Sequence, residues 1–151
     1  LNLNGVVNLN ARNLTVTGDG STVFNNTISG TGTINKSGNG TLVINGNSPN
    51  INAITLQSGV LAVNGAVGTI SLTGGTLIGG GTTGFVQGSL ANGAGTIAPG
   101  SGGTTTDILA ANAGVAMRST VGLEIDLNGT TAGRCLPAVA KILISPTGGM
   151  P

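Results

Sequence analysis

The sequence contains no His, Trp or Tyr, only two Phe residues and a single Cys among its 151 residues. Without His, a Ser-His-Asp or Cys-His catalytic arrangement cannot be built, and the usual Cys and His zinc sites are excluded too. Cys135 has no partner for an intramolecular disulfide, and we interpret it as a small buried hydrophobe, with an intermolecular bridge as the alternative. We therefore predict a protein that is not an enzyme and that uses no cofactor and no metal.

Charge is equally scarce, because charged residues make up 6% of the chain and the formal net charge is +1. Nucleic-acid binding needs a basic stripe that releases phosphate counterions, and base stacking needs aromatic rings, so we expect no nucleic-acid partner. No stretch reaches the roughly 18 consecutive apolar residues that a membrane helix requires. We expect no membrane insertion by this segment.

The acidic residues are Asp19, Asp107, Glu124 and Asp126. Glu124 and Asp126 lie two positions apart on a predicted strand and share one face, which we expect to be a solvated polar surface. A carboxylate pair for sugar hydrolysis would need a protected acid with a raised pKa. Asp19, between two glycines, is an incomplete echo of the calcium-binding β-roll repeat, and we interpret it as a turn residue.

What the chain does contain is 29 Gly residues and a hydrophobic fraction of 38%, spread over short alternating groups. Period-two alternation places Leu, Ile and Val on one face of a strand and Thr, Asn and Ser on the other. Disordered chains usually lack β-branched residues and carry a high net charge. The composition therefore predicts one domain over residues 1–151, with a thin aliphatic core.

Internal repetition is the most informative feature of the sequence. The positions Ile54, Leu56, Gly59, Leu61 and Gly65 recur sixteen residues later as Ile70, Leu72, Gly75, Leu77 and Gly81. Each unit consists of a short strand, a Gly turn and a second short strand. Related pieces occur at residues 41–46, 95–100 and 123–129, and looser versions at 14–18 and 33–36.

Short strands that recur at an offset of one coil predict a parallel β-helix, an all-β solenoid in which each rung bonds to its neighbours. Asn-Gly pairs are predicted to supply positive-φ turns between the rungs. These pairs are Asn4-Gly5, Asn39-Gly40, Asn45-Gly46, Asn64-Gly65, Asn92-Gly93 and Asn128-Gly129. Because such turns also suit hairpins, a β-sandwich or barrel is the alternative. Residues 100–106 are predicted to form a protruding loop, and 132–151 a divergent C-terminal rung.

The run from Gly30 to Gly46, with residues 58–65 and 95–100, resembles the passenger-associated transport repeat of bacterial autotransporter passenger domains. The resemblance covers residues 28–131. It implies a right-handed β-helix that is secreted and exposed on, or released from, a bacterial cell. No catalytic residue of the family has a counterpart here. Residues 133–137 depart from the pattern, which leaves the export and attachment route open.

Both ends of the chain read as strands, with Leu1 and Leu3 at the start and Ile142 and Ile144 near the end. An uncapped solenoid end exposes unpaired backbone groups and aliphatic side chains. These four residues are therefore candidates for self-assembly. The chain is either part of a longer solenoid or a subunit that stacks head to tail into a homopolymer, a contact that does not close.

The sequence thus predicts a non-enzymatic extracellular structural solenoid, either a surface fibre subunit or a passenger-type stalk. The first alternative is an adhesin fragment that binds a cell-surface glycan through residues 100–106. An ice-binding surface would use the Thr-x-Thr segments at 15–17, 31–33 and 104–106, but their spacing is irregular. A β-helix polysaccharide enzyme is the weakest alternative, because charged residues are so few.

Overall fold

The computed structural model describes residues 1–88, 95–100, 108–117 and 121–123. Over these ranges the chain is an all-β solenoid of about five turns without a helix. All pairings between its named strands are parallel, and an isolated antiparallel bridge joins Gly79 and Gly100. The solenoid prediction is confirmed, and the sandwich alternative is wrong.

Each coil contributes strands to up to three faces. Face 1 is a seven-stranded sheet that consists of β1 (Asn2–Leu3), β4 (Ser21–Phe24), β7 (Thr41–Ile44), β9 (Val60–Val63), β11 (Thr76–Gly79), β14 (Gly95–Pro99) and β17 (Val121–Leu123). Face 2 holds β2 (Val7–Asn8), β5 (Ile28–Ser29), the first parts of β8 (Ser48–Leu56) and β10 (Ala66–Leu72), β12 (Thr82–Thr83) and β15 (Ala110–Ala111). Face 3 holds β3 (Leu14–Val16), β6 (Thr33–Lys36), the last parts of β8 and β10, β13 (Val86–Gly88) and β16 (Val115–Ala116).

The core consists of aliphatic columns that run through the coils. On face 1, Leu42, Leu61, Leu77 and Ile97 are consecutive register partners. On face 3, the equivalent column is Leu14, Ile34, Ile54, Ile70 and Val86. Most of these side chains are fully buried, and each contributes roughly 1.5–3 kcal/mol to folding. The hydrophobic core therefore consists of stacked aliphatic columns, and their burial stabilises the fold.

The repeat found in the sequence is a true structural repeat. Ile54 pairs with Ile70, Leu56 with Leu72, and Leu61 with Leu77. The coil length nevertheless varies, because hydrogen-bonded Asn residues at one corner of the first coils are separated by 21, 20 and 19 positions. A search of the sequence for one repeat length, such as the sixteen residues between Ile54 and Ile70, therefore finds one pair of coils and misses the others.

The prediction that Asn-Gly pairs supply positive-φ turns is wrong for the four pairs that the structure describes. Their glycines, at positions 5, 40, 46 and 65, do not have positive φ, whereas Gly18, Gly38, Gly59 and Gly75 do. Close stacking explains why Gly46 and Gly65 are needed: a Cβ at Gly46 would collide with the carbonyl of Asn26, and one at Gly65 with the carbonyl of Gly46.

Several predictions fall outside the described residues. They concern the loop from position 101 onward, the divergent rung at 132–151, and the pairs Asn92-Gly93 and Asn128-Gly129. The same holds for Cys135, Asp107, Glu124, Asp126, Ile142 and Ile144. Gly100, at the start of the predicted loop, bridges to Gly79.

Candidate functional site

The first coil forms an edge on all three faces, because β1, β2 and β3 are each the terminal strand of their sheet. On the outer side of these strands, no described residue pairs with their backbone. Leu1 is 74% exposed, whereas Leu3 is half-buried and packs against the core. The structure therefore places two of the candidate assembly residues, Leu1 and Leu3, at an edge where a further coil could add.

The same edge carries positive charge and a strained corner. The N-terminal ammonium of Leu1 donates a hydrogen bond to the Ser21 carbonyl at 2.7 Å, and Arg12 is exposed. Between β2 and β3, Asn10 and Ala11 adopt positive φ values of 47° and 60°. For residues other than Gly, this conformation costs roughly 1–2 kcal/mol each.

A ladder of four Asn side chains follows the corner after face 1. Asn25 donates from Nδ2 to Oδ1 of Asn4 at 2.7 Å, Asn45 to Asn25 at 2.8 Å, and Asn64 to Asn45 at 2.9 Å. A carboxamide can extend such a ladder because it donates a hydrogen bond to one neighbour and accepts one from the other. All three bonds run in the same direction, so the ladder has a donor end at Asn4.

The sequence analysis missed this ladder because it interpreted the asparagines only as turn residues. A signal was present: an Asn directly follows the last aliphatic or aromatic residue of each of the first four strands of face 1. These dipeptides are Leu3-Asn4, Phe24-Asn25, Ile44-Asn45 and Val63-Asn64.

A lysine occupies an inward position on face 3. Val16, Lys36, Leu56 and Leu72 are consecutive register partners in one column. Lys36 is 1% exposed, so its aliphatic stem lies in the core. Lysine is rarely buried unless its ammonium finds partners.

The Lys36 ammonium finds those partners at the corner between faces 3 and 1. Its Nζ donates to the carbonyls of Ser37 at 3.1 Å, Gly38 at 2.9 Å and Ser58 at 3.3 Å. Burial lowers the pKa of Lys36, and the negative charge of Asp19 opposes that shift without cancelling it. Ser58 belongs to the next coil, so the ammonium links the corner that contains Ser37 and Gly38 to the corner stacked on it.

Two more polar residues interrupt the inward column of face 2. Ser48 accepts a hydrogen bond at its Oγ from the backbone N–H of Ile28 at 2.8 Å. Two coils further on, Thr83 is fully buried, and among the residues that the structure describes its hydroxyl has no hydrogen-bond partner. Leaving a buried hydroxyl unpaired costs roughly 1–3 kcal/mol. Face 2 is therefore less uniformly packed than the other two.

The described part of the chain offers little for catalysis or metal binding. Asp19, the carboxylate residue within it, lies on the exposed corner between β3 and β4, the turn position that the sequence predicts. Over these same residues, no group of three His, Cys, Asp or Glu side chains could hold a metal ion. Nor does any helix there have the length and apolar character needed to cross a membrane.

Comparison with models of protein families found no match, and neither the curated proteins nor the solved structures gave one. The resemblance to the passenger repeat therefore rests on the sequence pattern alone.

Proposed function

We propose that this chain is a non-enzymatic structural rod, used as a stalk or fibre subunit on the outside of a bacterial cell. The observation that carries the proposal is the uninterrupted stacking of coils on face 1, where a single sheet runs from β1 to β17. Such a stack holds its two ends at a fixed separation, which is the property a stalk requires. The passenger-type repeat pattern at residues 30–46 supports an extracellular location.

Exposure to proteases is a hazard for an extracellular rod, and this chain presents few cleavage sites for trypsin-like enzymes. Arg12 and Lys36 are the basic side chains in the described ranges, and Lys36 is buried. Burial within stacked strands also protects the backbone, because cleavage requires local unfolding. These features suit a fibre that persists outside the cell.

The edge of the first coil supports end-to-end assembly of such rods. It offers unpaired backbone groups, the aliphatic side chains of Leu1 and Leu3, and the donor end of the ladder at Asn4. We propose that a second copy docks through its opposite end, in a head-to-tail stack.

Negative-stain electron microscopy and sedimentation velocity of the purified chain test this assembly. We expect rods whose length grows with protein concentration. Leu3→Lys should abolish growth, because it replaces an inward aliphatic side chain at the edge, where the next coil would pack, with a charged one. The matched control is Thr15→Lys, in the same coil but on the outward side of face 3. Monodisperse particles of the unaltered chain at every concentration would refute end-to-end assembly.

A further inference from the structure

Asparagine followed by glycine is prone to spontaneous loss of its side-chain amide, because glycine has no side chain to shield its backbone nitrogen. The structure describes four such pairs, Asn4-Gly5, Asn39-Gly40, Asn45-Gly46 and Asn64-Gly65. All four Asn residues are exposed, so exposure alone does not distinguish them. The pairs differ in how firmly the neighbouring coils hold the glycine nitrogen and the carboxamide.

Loss of the amide requires the backbone nitrogen of the glycine to reach Cγ of the preceding Asn. A hydrogen bond from this N–H to a neighbouring coil retains the proton and fixes the peptide plane, so the pair must first open locally. Gly40 donates to the carbonyl of Gly18 at 2.9 Å, and Gly65 donates to the carbonyl of Ile44 at 3.1 Å. Stacking therefore protects both of these pairs.

The pair Asn45-Gly46 is held in a different way. The Asn45 carboxamide is bound at both ends, since its Nδ2 donates to Asn25 and its Oδ1 accepts from Asn64. Gly46 packs so closely on the coil before it that a Cβ would collide with the carbonyl of Asn26. Neither group can turn toward the other without disrupting the ladder, so this pair is protected as well.

The pair Asn4-Gly5 is restrained much less. Gly5 is exposed, and among the residues that the structure describes its N–H has no hydrogen-bond partner. A Cβ at Gly5 would have nothing within 4 Å, so the peptide has room to turn. The Asn4 carbonyl accepts a hydrogen bond of 3.4 Å from Asn26, which is long and therefore weak. The bond of 2.7 Å from Asn25 to Oδ1 of Asn4 polarises the carboxamide and favours the oxyanion that forms during attack.

We propose that Asn4 is a site of spontaneous deamidation in the folded chain, whereas the other three described pairs are protected. The Gly5 nitrogen bonds to Cγ of Asn4, the Cγ–Nδ2 bond breaks, and Nδ2 leaves as ammonia with the proton from Gly5. Water then opens the resulting cyclic imide. Addition of water at Cγ gives aspartate, and addition at the backbone carbonyl gives isoaspartate.

The two products change the first coil differently. Aspartate keeps an oxygen that accepts from Asn25, so the ladder is retained, whereas isoaspartate lengthens the backbone after β1 by one methylene. Either product adds a negative charge, which brings the formal net charge of the chain from +1 to zero. Deamidation is therefore a slow and irreversible change of charge at the edge of the solenoid. It does not depend on the proposed function.

Mass spectrometry of the unaltered full chain tests the proposal. The folded chain and the chain unfolded in urea are incubated in parallel at mildly alkaline pH and then digested. Trypsin cuts after Arg12, so one peptide of residues 1–12 carries Asn4, and a less specific protease separates the other pairs. We expect folding to slow the conversion of Asn4 by less than about threefold and that of the other three by at least about tenfold. Equal protection of all four by folding would overturn the proposal.

Gly5→Val is the matched variant. The space around Gly5 accepts a larger side chain and its φ is not positive, so the circular dichroism spectrum should be unchanged. The branched side chain shields the nitrogen and should slow the conversion of Asn4 at least about tenfold. Chromatographic separation of aspartate from isoaspartate identifies the imide, because direct hydrolysis of the amide gives aspartate alone. Conversion without isoaspartate, or at an unchanged rate in Gly5→Val, would also contradict the proposed route.

Discussion

Faces 1 and 3 are built from the same coils, yet they differ on both of their sides. Inside, the column of face 1 that begins with Thr22 is aliphatic from Leu42 onward, whereas on face 3 Lys36 stands in a column between Val16 and Leu56. Outside, face 1 carries the aliphatic column Val23, Val43, Ala62, Ile78 and Ala98, and face 3 carries Thr, Asn, Ser and Gln.

The comparison teaches that alternation alone does not determine what each face does. Face 1 has aliphatic residues on both of its sides, whereas face 3 exposes polar groups to water and uses a buried ammonium to connect neighbouring coils.

The largest expected effect concerns the inner columns, where the two faces should behave alike. Leu42→Ala on face 1 and Ile54→Ala on face 3 each remove a fully buried aliphatic group, and we expect each to lower the unfolding free energy by about 2–5 kcal/mol. Val43→Ala, on the outward side of the same strand as Leu42, should cost less than about 1 kcal/mol in the monomer. Urea denaturation measures all three. A loss of unfolding free energy for Val43→Ala as large as for Leu42→Ala and Ile54→Ala would contradict this arrangement of the faces.

The next effect tests the buried lysine of face 3. Lys36→Ala removes the buried stem and leaves three carbonyls without their donor, so we expect a loss of about 2–4 kcal/mol. Lys36→Met restores the apolar volume in the column and should recover at least half of that loss, because a buried charge is itself costly. Denaturation curves of the two variants provide the comparison. If Lys36→Met were no more stable than Lys36→Ala, packing of the stem would not be the main contribution.

A smaller effect is expected at the Asn ladder beside face 1. Asn45→Asp replaces the group that donates to Asn25 with a carboxylate that cannot donate, while Asn64 can still donate to it. We expect a loss of about 1–2 kcal/mol near neutral pH. Asn39→Asp is the control, because Asn39 is exposed and also precedes a Gly but lies outside the ladder. Its thermal unfolding should change by less than about 0.5 kcal/mol; equal losses at both positions would argue against a stabilising ladder.

The smallest effect is the pH dependence that Lys36 brings to face 3. Because the folded pKa of Lys36 lies below its ordinary value of 10.5, the folded state releases this proton at lower pH than the unfolded state does. Stability should therefore rise with pH between the lowered pKa and 10.5 and decline as pH falls through the lowered pKa.

The measurement is the difference in unfolding free energy between the unaltered chain and Lys36→Met, followed from about pH 8 upward. Asp19 is the charged group that acts on Lys36. Groups shared by the two proteins cancel in the difference. A difference that did not change with pH would mean that the ammonium is not held in a desolvated site.

The fold could be predicted from the sequence because alternation and glycine spacing are local signals. Ile54 and Leu56 recur sixteen residues later as Ile70 and Leu72, and the two pairs are in register in the structure. The varying coil length was not predictable from that one pair, because it depends on how corners stack. The corner between faces 3 and 1, for example, takes residues 37–40 in one coil and 57–59 in the next.

The candidate site was predictable only in part. Leu1 and Leu3 were candidates because a solenoid edge follows directly from strand pairing, and their role in assembly stays a prediction. The phase of alternation also placed Lys36 on the same side as Ile34, yet a lysine at a strand end is usually solvated. Its three carbonyl partners come from a corner and from the next coil, and their convergence is set by stacking rather than by local sequence.

The Asn ladder also gives the rod an electrical direction. Each side-chain carbonyl points to the following coil and each amide N–H to the preceding one, so the carboxamide dipoles add along the axis and polarise one another. Their positive pole lies toward Asn4 in the first coil and their negative pole toward Asn64 in the fourth. The two directions along the axis of the rod are therefore electrically distinct.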